Sequence, residues 1–307
     1  MASVVTVQDL PQMLLPGARS ITLDYPYYMN EYKQFMTILP SVKREEIDIE
    51  AVPLSGGGVF ADGQNMPQGS FYQYFVTKSI HKNYGNSFTI TSNAVDDNLY
   101  PDQFPKGMFG LKENLAMVSE YAAIALFDNA FNATAGNPFL LADGQPMCSA
   151  LHPISTGGTV SNALSPAQLT ETSAEDMIKL INYFKDAAGM PRKFEERYYL
   201  VGVENQFEAE ILTGSAYRPG DGTNSVNPLT YGEYVQGGFI LSHYMANPAN
   251  FFMLTNFKEG LVHYLRQGLK VQMTTDQGNL NLSVYASERY INRCINFRAV
   301  VGCQSFS

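Results

Sequence analysis

The sequence predicts an α+β fold, and three observations support that prediction. Residues 47–52 and 70–77 resemble the two strands of a long hairpin, because polar and apolar residues alternate in the first and strand-forming residues dominate the second. Residues 106–132 place apolar residues at helical spacing. Residues 261–274 and 280–301 predict long strands. No internal repeat or linker divides the chain, so these elements are expected to form one folding unit.

The composition indicates a folded protein that buries much of its surface. The chain has 307 residues, of which 45% are hydrophobic and 16% are charged. This apolar content excludes wholesale disorder. An ordinary soluble domain carries about 25% charged residues, and neutral amides and tyrosines are less costly to bury than charges. The low charge content therefore favours a surface that other protein subunits cover.

Charge, hydropathy and cysteine content exclude several classes of protein. The formal net charge of −9 argues against a protein that grips nucleic acid over its whole surface. No apolar run is long enough to predict a membrane span, and the N-terminus lacks the basic start and apolar region of a signal peptide. The three cysteines, Cys148, Cys294 and Cys303, show no CxxC spacing, so no disulfide framework is expected.

Residues 1–45 predict an extended arm. Every periodic stretch in them is interrupted by a proline: Pro11, Pro16, Pro26 and Pro40. The segment is nevertheless rich in aromatic side chains, including Tyr25, Tyr27 and Tyr28. An extended apolar segment needs a surface to lie on, so these three tyrosines are candidate contacts with another subunit.

The connection between the two hairpin strands is long and has an apolar tip. Loops of this length are uncommon and are usually functional. Val59, Phe60 and Met66 would be a liability on a monomer, so we predict that they dock onto a neighbouring subunit. The glycines of this loop do not form a phosphate-binding motif, because Gln64 stands where that motif needs lysine and a strand follows.

The clearest predicted helix covers residues 106–132 and would be about 40 Å long at 1.5 Å per residue. No proline interrupts this range. Its expected buried stripe follows spacings of three and four residues: Leu111, Leu115, Val118, Ala122 and Leu126.

Helices and strands alternate after residue 164. The expected elements are a helix over residues 165–188 that begins at Ser165 and restarts at Ser173, a strand over 198–203, a short helix over 204–212, and strands over 238–245 and 251–255. The short helix is expected to bury Phe207, Ala209, Ile211 and Leu212. A long loop covers residues 213–235.

No pattern of catalytic, cofactor-binding or metal-binding residues stands out. His81, His152, His243 and His263 lack ligand spacing, so each is interpreted as a hydrogen-bonded structural histidine. Cys148 lies four residues before His152 and could form a nucleophile–base pair, but no third member is evident. We predict a protein that is not an enzyme, and a thiol or hydrolytic enzyme using Cys148 and His152 remains an alternative.

Residues 86–255 contain a series of motifs in a defined order. The motifs are FTIT at residues 88–91, DDNLY at 96–100, FDNAF at 127–131, DGQPMC at 143–148, LHP at 151–153, GGTVSN at 157–162, GMP at 189–191, AEIL at 209–212 and FFML at 251–254. In order and spacing, this series resembles the major capsid proteins of tailed bacteriophages, particularly the Mu-like major head subunit group.

The resemblance implies an HK97-like capsid fold with five regions. These would be an N-terminal arm (1–45), an extended hairpin or E-loop (46–85), a peripheral domain (86–164) with its spine helix at 106–132, a mainly axial domain (165–260), and the return strands of the peripheral domain (261–307).

The resemblance also implies a structural function. It predicts a major capsid protein that self-assembles into hexamers and pentamers of an icosahedral virion shell, which encloses phage dsDNA without sequence-specific binding. The implied partners are further copies of the chain, a separate scaffolding protein, a portal and possible decoration proteins, with assembly in the host cytoplasm and no membrane. An encapsulin-like shell that encloses enzyme cargo is the alternative with the same fold.

Overall fold

Two larger β-sheets and one long helix make up most of the protein in a computed structural model. The structure describes residues 31–54, 57–96, 100–218, 225–231, 234–235, 237–257, 259–276 and 278–305. The predicted arm contacts Tyr25, Tyr27 and Tyr28 lie outside these residues.

Helices and strands are numbered along the described chain. The helices are α1 (Tyr32–Phe35), α2 (Ser92–Asp96), α3 (Tyr100–Asp128), α4 (Glu171–Asn182), α5 (Gln206–Gly214) and α6 (Pro228–Tyr231), with 3₁₀ turns at Val203–Asn205 and Phe297–Ala299. The strands are β1 (Thr37–Pro40), β2 (Glu45–Val52), β3 (Tyr72–Ile80), β4 (Lys82–Ile90), β5 (His152–Pro153), β6 (Thr159–Val160), β7 (Ala163–Leu164), β8 (Glu196–Gly202), β9 (Phe239–Ser242), β10 (Phe251–Thr255), β11 (Leu261–Thr275), β12 (Leu282–Cys294) and β13 (Val300–Cys303).

The first larger sheet has the strand order β1-β11-β12-β4. β11 and β12 pair antiparallel along most of their length, and β4 pairs antiparallel with β12 on the other side. Parallel β1 covers the free edge of β11. The two long C-terminal strands predicted from the sequence are therefore present, although the second ends at Cys294.

The second larger sheet has the strand order β7-β13-β10-β8-β9. Its strand β13 lies in a different sheet from β11 and β12, although the resemblance groups residues 261–307 together as return strands of the peripheral domain. The 3₁₀ turn Phe297–Ala299 separates β13 from β12. All four residues of β13 are buried, which suits a strand in the interior of a sheet that is covered on both faces.

Helix α3 connects the two sheets. It has 29 residues, begins six residues before the predicted start and ends at Asp128 rather than at residue 132. At 1.5 Å per residue it is about 43 Å long. Its first half packs Met108 and Leu115 against the first sheet, and its second half packs Ile124 and Phe127 into the core of the second sheet.

A glycine sets the approach of α3 to the first sheet. A Cβ atom at Gly107 would lie 2.7 Å from the Phe88 ring on β4. A larger residue would therefore push α3 away from the sheet on which its first half packs.

Residues 31–40 belong to the folded body and not, as predicted, to an arm of 45 residues. Tyr32, Phe35 and Met36 are buried in the large core. The backbone N–H of Tyr32 donates to Glu120 Oε2 on α3 at 3.0 Å. These contacts anchor the segment on the protein's own core, so any arm ends before residue 31.

Helix α4 begins at Glu171, later than the predicted start at Ser165. The Thr170 side chain accepts a hydrogen bond from the Ser173 N–H, and Ser173 Oγ accepts one from the Thr170 N–H at 2.8 Å. This reciprocal pair is a capping box, in which Ser173 is the third helical residue and not the cap. Ala167 instead donates to the Gln304 carbonyl beside β13.

Candidate assembly surfaces

The hairpin formed by β2 and β3 turns an acidic face toward the body of the protein. Glu46, Asp48 and Glu50 alternate along β2 and therefore share one face of the strand. Each of them contacts a residue of the body, and Val52 at the end of the same face is buried against Ala188. This face is a specific contact and not a solvated surface.

Glu46 fixes the base of the hairpin. Ser41 Oγ donates to its carboxylate, His81 Nε2 lies 3.5 Å from it, and Lys43 Nζ lies 3.7 Å from it. Burial alone would raise the pKa of Glu46, but the hydrogen bonds from Ser41 and His81 and the charge of Lys43 lower it below its ordinary value. The carboxylate therefore stays ionised at neutral pH.

Asp48 and Glu50 extend this contact along the strand. The Tyr264 hydroxyl on β11 donates to Asp48 Oδ1 at 2.6 Å, while burial raises the pKa of Asp48. Glu50 Oε1 accepts from Arg298 Nη1 at 2.7 Å and from Asn296 Nδ2 at 3.1 Å. Burial lowers the pKa of Arg298, an effect that the Glu50 charge opposes.

The opposite face of the hairpin is apolar and exposed. Ile47 and Ile49 on β2 expose 48% and 55% of their surface, and Ile80 on β3 exposes 62%. Ile47 lies across from Lys78 in the antiparallel register. A two-stranded sheet is marginally stable by itself, and exposed isoleucines gathered on one face are typical of an interaction surface.

The predicted contacts at the tip of the hairpin lie on the surface. Val59 is fully exposed, Phe60 exposes 46% and Met66 exposes 69%. Leu54 and Phe71, which the sequence analysis did not single out, are also exposed at the ends of this loop. These five exposed apolar residues of the loop are here called the tip cluster.

The predicted buried stripe of α3 is correct at three positions and wrong at two. Leu111, Leu115 and Leu126 are buried, but Val118 and Ala122 are only half-buried and line a surface groove. The buried face shifts around the helix because its two halves pack on different cores. At the middle of the helix, the buried residues are instead Ser119, Glu120, Ala123 and Ile124.

Glu120 carries a buried carboxyl group at the middle of α3, where the helix passes from the core of the first sheet to that of the second. Its side chain has no exposed surface, and Oε2 accepts the Tyr32 N–H, while Oε1 has no hydrogen-bond partner among the described residues. Burial raises the pKa of Glu120 to about 7, although the hydrogen bond from Tyr32 opposes the shift. This carboxyl group therefore titrates near neutral pH at the contact between α1 and α3.

Helix α5 buries less than the sequence predicted. Ala209 and Leu212 are buried, but Phe207 exposes 72% and Ile211 exposes 42% of its surface. The helix has nine residues and packs on β8, β9 and the short helix α6. The opposite apolar face has no partner within the described part of the chain.

Cys148 and His152 do not form a nucleophile–base pair. Cys148 is buried, and burial raises the pKa of its thiol well above the ordinary value. His152 Nδ1 lies 2.7 Å from Asp143 Oδ2, and Nε2 lies 3.0 Å from Asn162 Oδ1. The ring also stacks on Phe297 with a centroid distance of 4.0 Å. His152 is therefore a buried structural histidine, and both of its ring nitrogens have hydrogen-bond partners.

Asn162 organises this buried polar cluster and was missed in the sequence. The two hydrogens on its Nδ2 face three backbone carbonyl groups, so its Oδ1 must face the Ser149 N–H and His152 Nε2. Buried asparagine cannot be recognised from local pattern, because its partners lie up to 138 residues away.

No group of three or more His, Cys, Asp or Glu residues in the described ranges could hold a metal ion. No helix of the described chain is both long enough and apolar enough to cross a membrane.

Comparison with known proteins agrees with the fold. Residues 76–302 match the profile of a family described as phage capsid protein. No curated protein matches the chain. Similar solved structures include a virus-like particle from Pyrococcus furiosus, with 11% identity, 95% of this chain and 98% of that chain covered, and a TM-score of 0.52.

Two further structures give the same result. A structure from Mycobacterium phage Adephagia has 7% identity, covers 99% of both chains and has a TM-score of 0.54. The capsid of an empty GTA particle has 10% identity, with 92% of this chain and 98% of that chain covered, and a TM-score of 0.52. These likenesses confirm an HK97-like α+β fold. The family profile matches residues 76–302, which is most of this chain. The chain therefore belongs to the phage capsid protein family.

Proposed function

We propose that this protein is the major capsid subunit of an icosahedral phage head, in which it self-associates into hexamers and pentamers around packaged dsDNA. The observation that supports this best is the orientation of the hairpin. Its acidic face is bound to the protein's own body, while its apolar face and tip cluster are exposed. An isolated subunit would leave this surface in water, and a neighbouring subunit would cover it.

The two sheets suggest an assignment of regions. The first larger sheet with α3 would form the peripheral domain, the second with α4 and α5 the axial domain, and β2 with β3 the E-loop. Two segments would differ from the regions expected from the sequence. Residues 31–40 would belong to the folded body instead of the arm, and β13 to the axial instead of the peripheral domain. Any arm would then be confined to residues 1–30, where Tyr25, Tyr27 and Tyr28 remain candidate contacts with a neighbour.

Charge supports containment of DNA without tight binding. A subunit with a net charge of −9 offers no uniformly basic lining to hold the phosphate backbone. The partners proposed for this function are a separate scaffolding protein, a portal and a decoration protein, with assembly in the host cytoplasm and the mature protein in the virion.

The function is tested by the mass of the purified protein from light scattering, with negative-stain images of the same fraction. Megadalton closed shells or capsomer rings are expected. A protein that stays monomeric, alone and with the scaffolding protein of its own genome, would overturn the proposal.

The tip cluster is tested by a matched pair of variants. Phe60→Asp should leave the subunit folded but prevent shell assembly, because it places a charge in an apolar contact. Gln64→Asp adds the same charge to the same exposed loop without removing an apolar side chain, and should assemble normally. Normal shells from Phe60→Asp would remove the anchor role of this residue.

An encapsulin-like shell is the second candidate, since a virus-like particle shares the fold. Particles purified from the native source distinguish the two by their contents. Nuclease-protected dsDNA supports the phage head, whereas a stoichiometric enzyme and no DNA would support the cargo shell.

A further inference from the structure

Helix α5 presents an apolar stripe to solvent. Val203 in the preceding 3₁₀ turn, Phe207 and Ile211 follow each other at spacings of four residues, so they lie on one face. They expose 47%, 72% and 42% of their surface. The stripe is about 12 Å long at 1.5 Å per residue.

Glutamates flank this stripe on both sides. Glu204 and Glu208 lie on one side of it and Glu210 on the other, at the angles given by 100° per residue. All three are exposed, and within the described chain none of them forms an ion pair. The surface is therefore an apolar ridge with an acidic border.

A groove of about 570 Å³ on the same subunit has the complementary character. It lies between the base of the hairpin and α3, which contributes Val118, Ala122 and Ala125. These half-buried side chains follow spacings of four and three residues and cover about 10 Å of the helix. Two of them are the positions that the sequence assigned to the protein's own core.

The border of the groove is basic. Lys78, Lys82 and Arg293 line it, and no acidic side chain of the described residues does. Arg293 is held in place by hydrogen bonds to Ser79 Oγ and the Pro138 carbonyl. None of the three cations forms an ion pair within the described part of the protein.

We propose that helix α5 of one subunit docks in the groove between hairpin and α3 of a neighbouring copy. This inference rests on the self-association proposed above and names a pair of surfaces that makes it. The apolar ridge and the apolar groove have similar lengths, and small alanine side chains allow a helix to approach closely. The acidic border of the ridge would meet the basic border of the groove.

The ridge on α5 does not contact the groove of its own chain. Phe207 and Ile211 are exposed in the folded subunit, so they do not contact its own groove. The arrangement is therefore head-to-tail, in which each subunit offers a ridge to one neighbour and a groove to the other. Heterologous contacts of this kind generate closed rings when the rotation between neighbouring subunits closes.

Cross-linking tests the contact directly. Phe207→Cys combined with Ala122→Cys, treated with a short bis-maleimide after assembly, should give a ladder of covalent multimers. The natural cysteines do not interfere, because all three are buried. The control combines Phe207→Cys with Tyr285→Cys, which is exposed on β12 away from the groove, and should give no ladder.

Charge reversal provides an independent readout. Replacing Glu204, Glu208 and Glu210 by lysine should lower the yield of shells by at least about tenfold, because like charges would then face each other. Lys78→Glu with Lys82→Glu should have a similar effect, and the combined variant should recover assembly.

The outcomes separate this inference from the function on which it rests. Shells of the Phe207→Cys/Ala122→Cys variant that give no ladder, or charge-reversed variants that assemble at the wild-type yield, overturn the docking and leave the capsid function intact. A wild-type protein that forms no shell overturns both.

Discussion

Glu50 Oε1 lies 2.7 Å from Arg298 Nη1 and joins the exposed hairpin to the turn between the two larger sheets. The Arg298 side chain is almost completely buried, whereas Glu50 keeps about one fifth of its surface exposed. The pair fixes the acidic face of β2 inward, and the isoleucines on the other face are therefore exposed. The surface offered to neighbours thus depends on this ion pair together with the contact between Asp48 and Tyr264.

Removal of this carboxylate should destabilise the subunit. Glu50→Ala leaves the Arg298 guanidinium buried without its charge partner, and breaking a buried pair costs about 3 kcal/mol in the free energy of unfolding. Urea unfolding of unassembled subunits measures this loss. Glu45→Ala on the exposed face of the same strand is the control and should change the stability by less than about 0.5 kcal/mol. Equal stability of the two variants would contradict the role of the pair.

Two neighbouring positions on α3 should respond differently to aspartate. Leu115→Asp buries a charge in the core beneath the first sheet and should prevent folding. Val118→Asp, at a half-buried position facing the groove, should leave a folded subunit that assembles poorly. Circular dichroism melting and light scattering give the two readouts. A soluble Leu115→Asp subunit that melts cooperatively would refute the assignment of the buried face.

Glu120 should make stability depend on pH near neutrality. Its folded pKa of about 7 lies above the unfolded value of 4.5, so its favourable contribution is complete below about 4.5 and is lost as pH rises through 7. The groups facing it are the Tyr32 N–H, Glu31 and Lys33.

Glu120→Gln should therefore remove this dependence. The variant should gain up to about 3 kcal/mol over the wild type at pH 8, at 1.36 kcal/mol per pKa unit, and little at pH 4.5. Unfolding curves of unassembled subunits across this pH range measure the difference. Parallel pH profiles of the two proteins would show that folding does not raise the pKa of Glu120.

The cysteines should be unreactive in the folded subunit. Cys148, Cys294 and Cys303 are all buried, and burial raises the thiol pKa of each. A thiol reagent should therefore label none of them in native buffer and all three after denaturation. Rapid labelling of Cys148 in the native protein would instead support the thiol enzyme considered from the sequence.

His152 should matter for stability and not for chemistry. His152→Ala leaves Asp143 Oδ2 without its histidine partner, takes one of the two partners of Asn162 Oδ1 and removes the ring stacked on Phe297. A loss of about 2–3 kcal/mol in the free energy of unfolding is expected, because buried polar groups are left unsatisfied. Wild-type stability of the variant would contradict the structural role.

The sequence alone determined the element types and the general nature of the surface. The hairpin, the long helix and the long C-terminal strands follow from local periodicity, which depends only on neighbouring residues. The apolar loop tip and the low charge content indicated contacts with other subunits. The order of motifs over residues 86–255 led to the capsid family that the comparisons then confirmed.

Tertiary structure decided which faces of these elements are buried. Alternation along β2 is compatible with either face inward, and the positions of Tyr264 and Arg298, more than two hundred residues away, select the acidic one. Likewise, spacing along α3 predicted Val118 and Ala122 in the core, but the helix crosses two sheets, and Ser119 and Glu120 are buried at the crossing instead. The local sequence pattern indicates that a face is apolar. Whether the protein itself or a neighbour covers that face depends on packing with residues far away in the sequence.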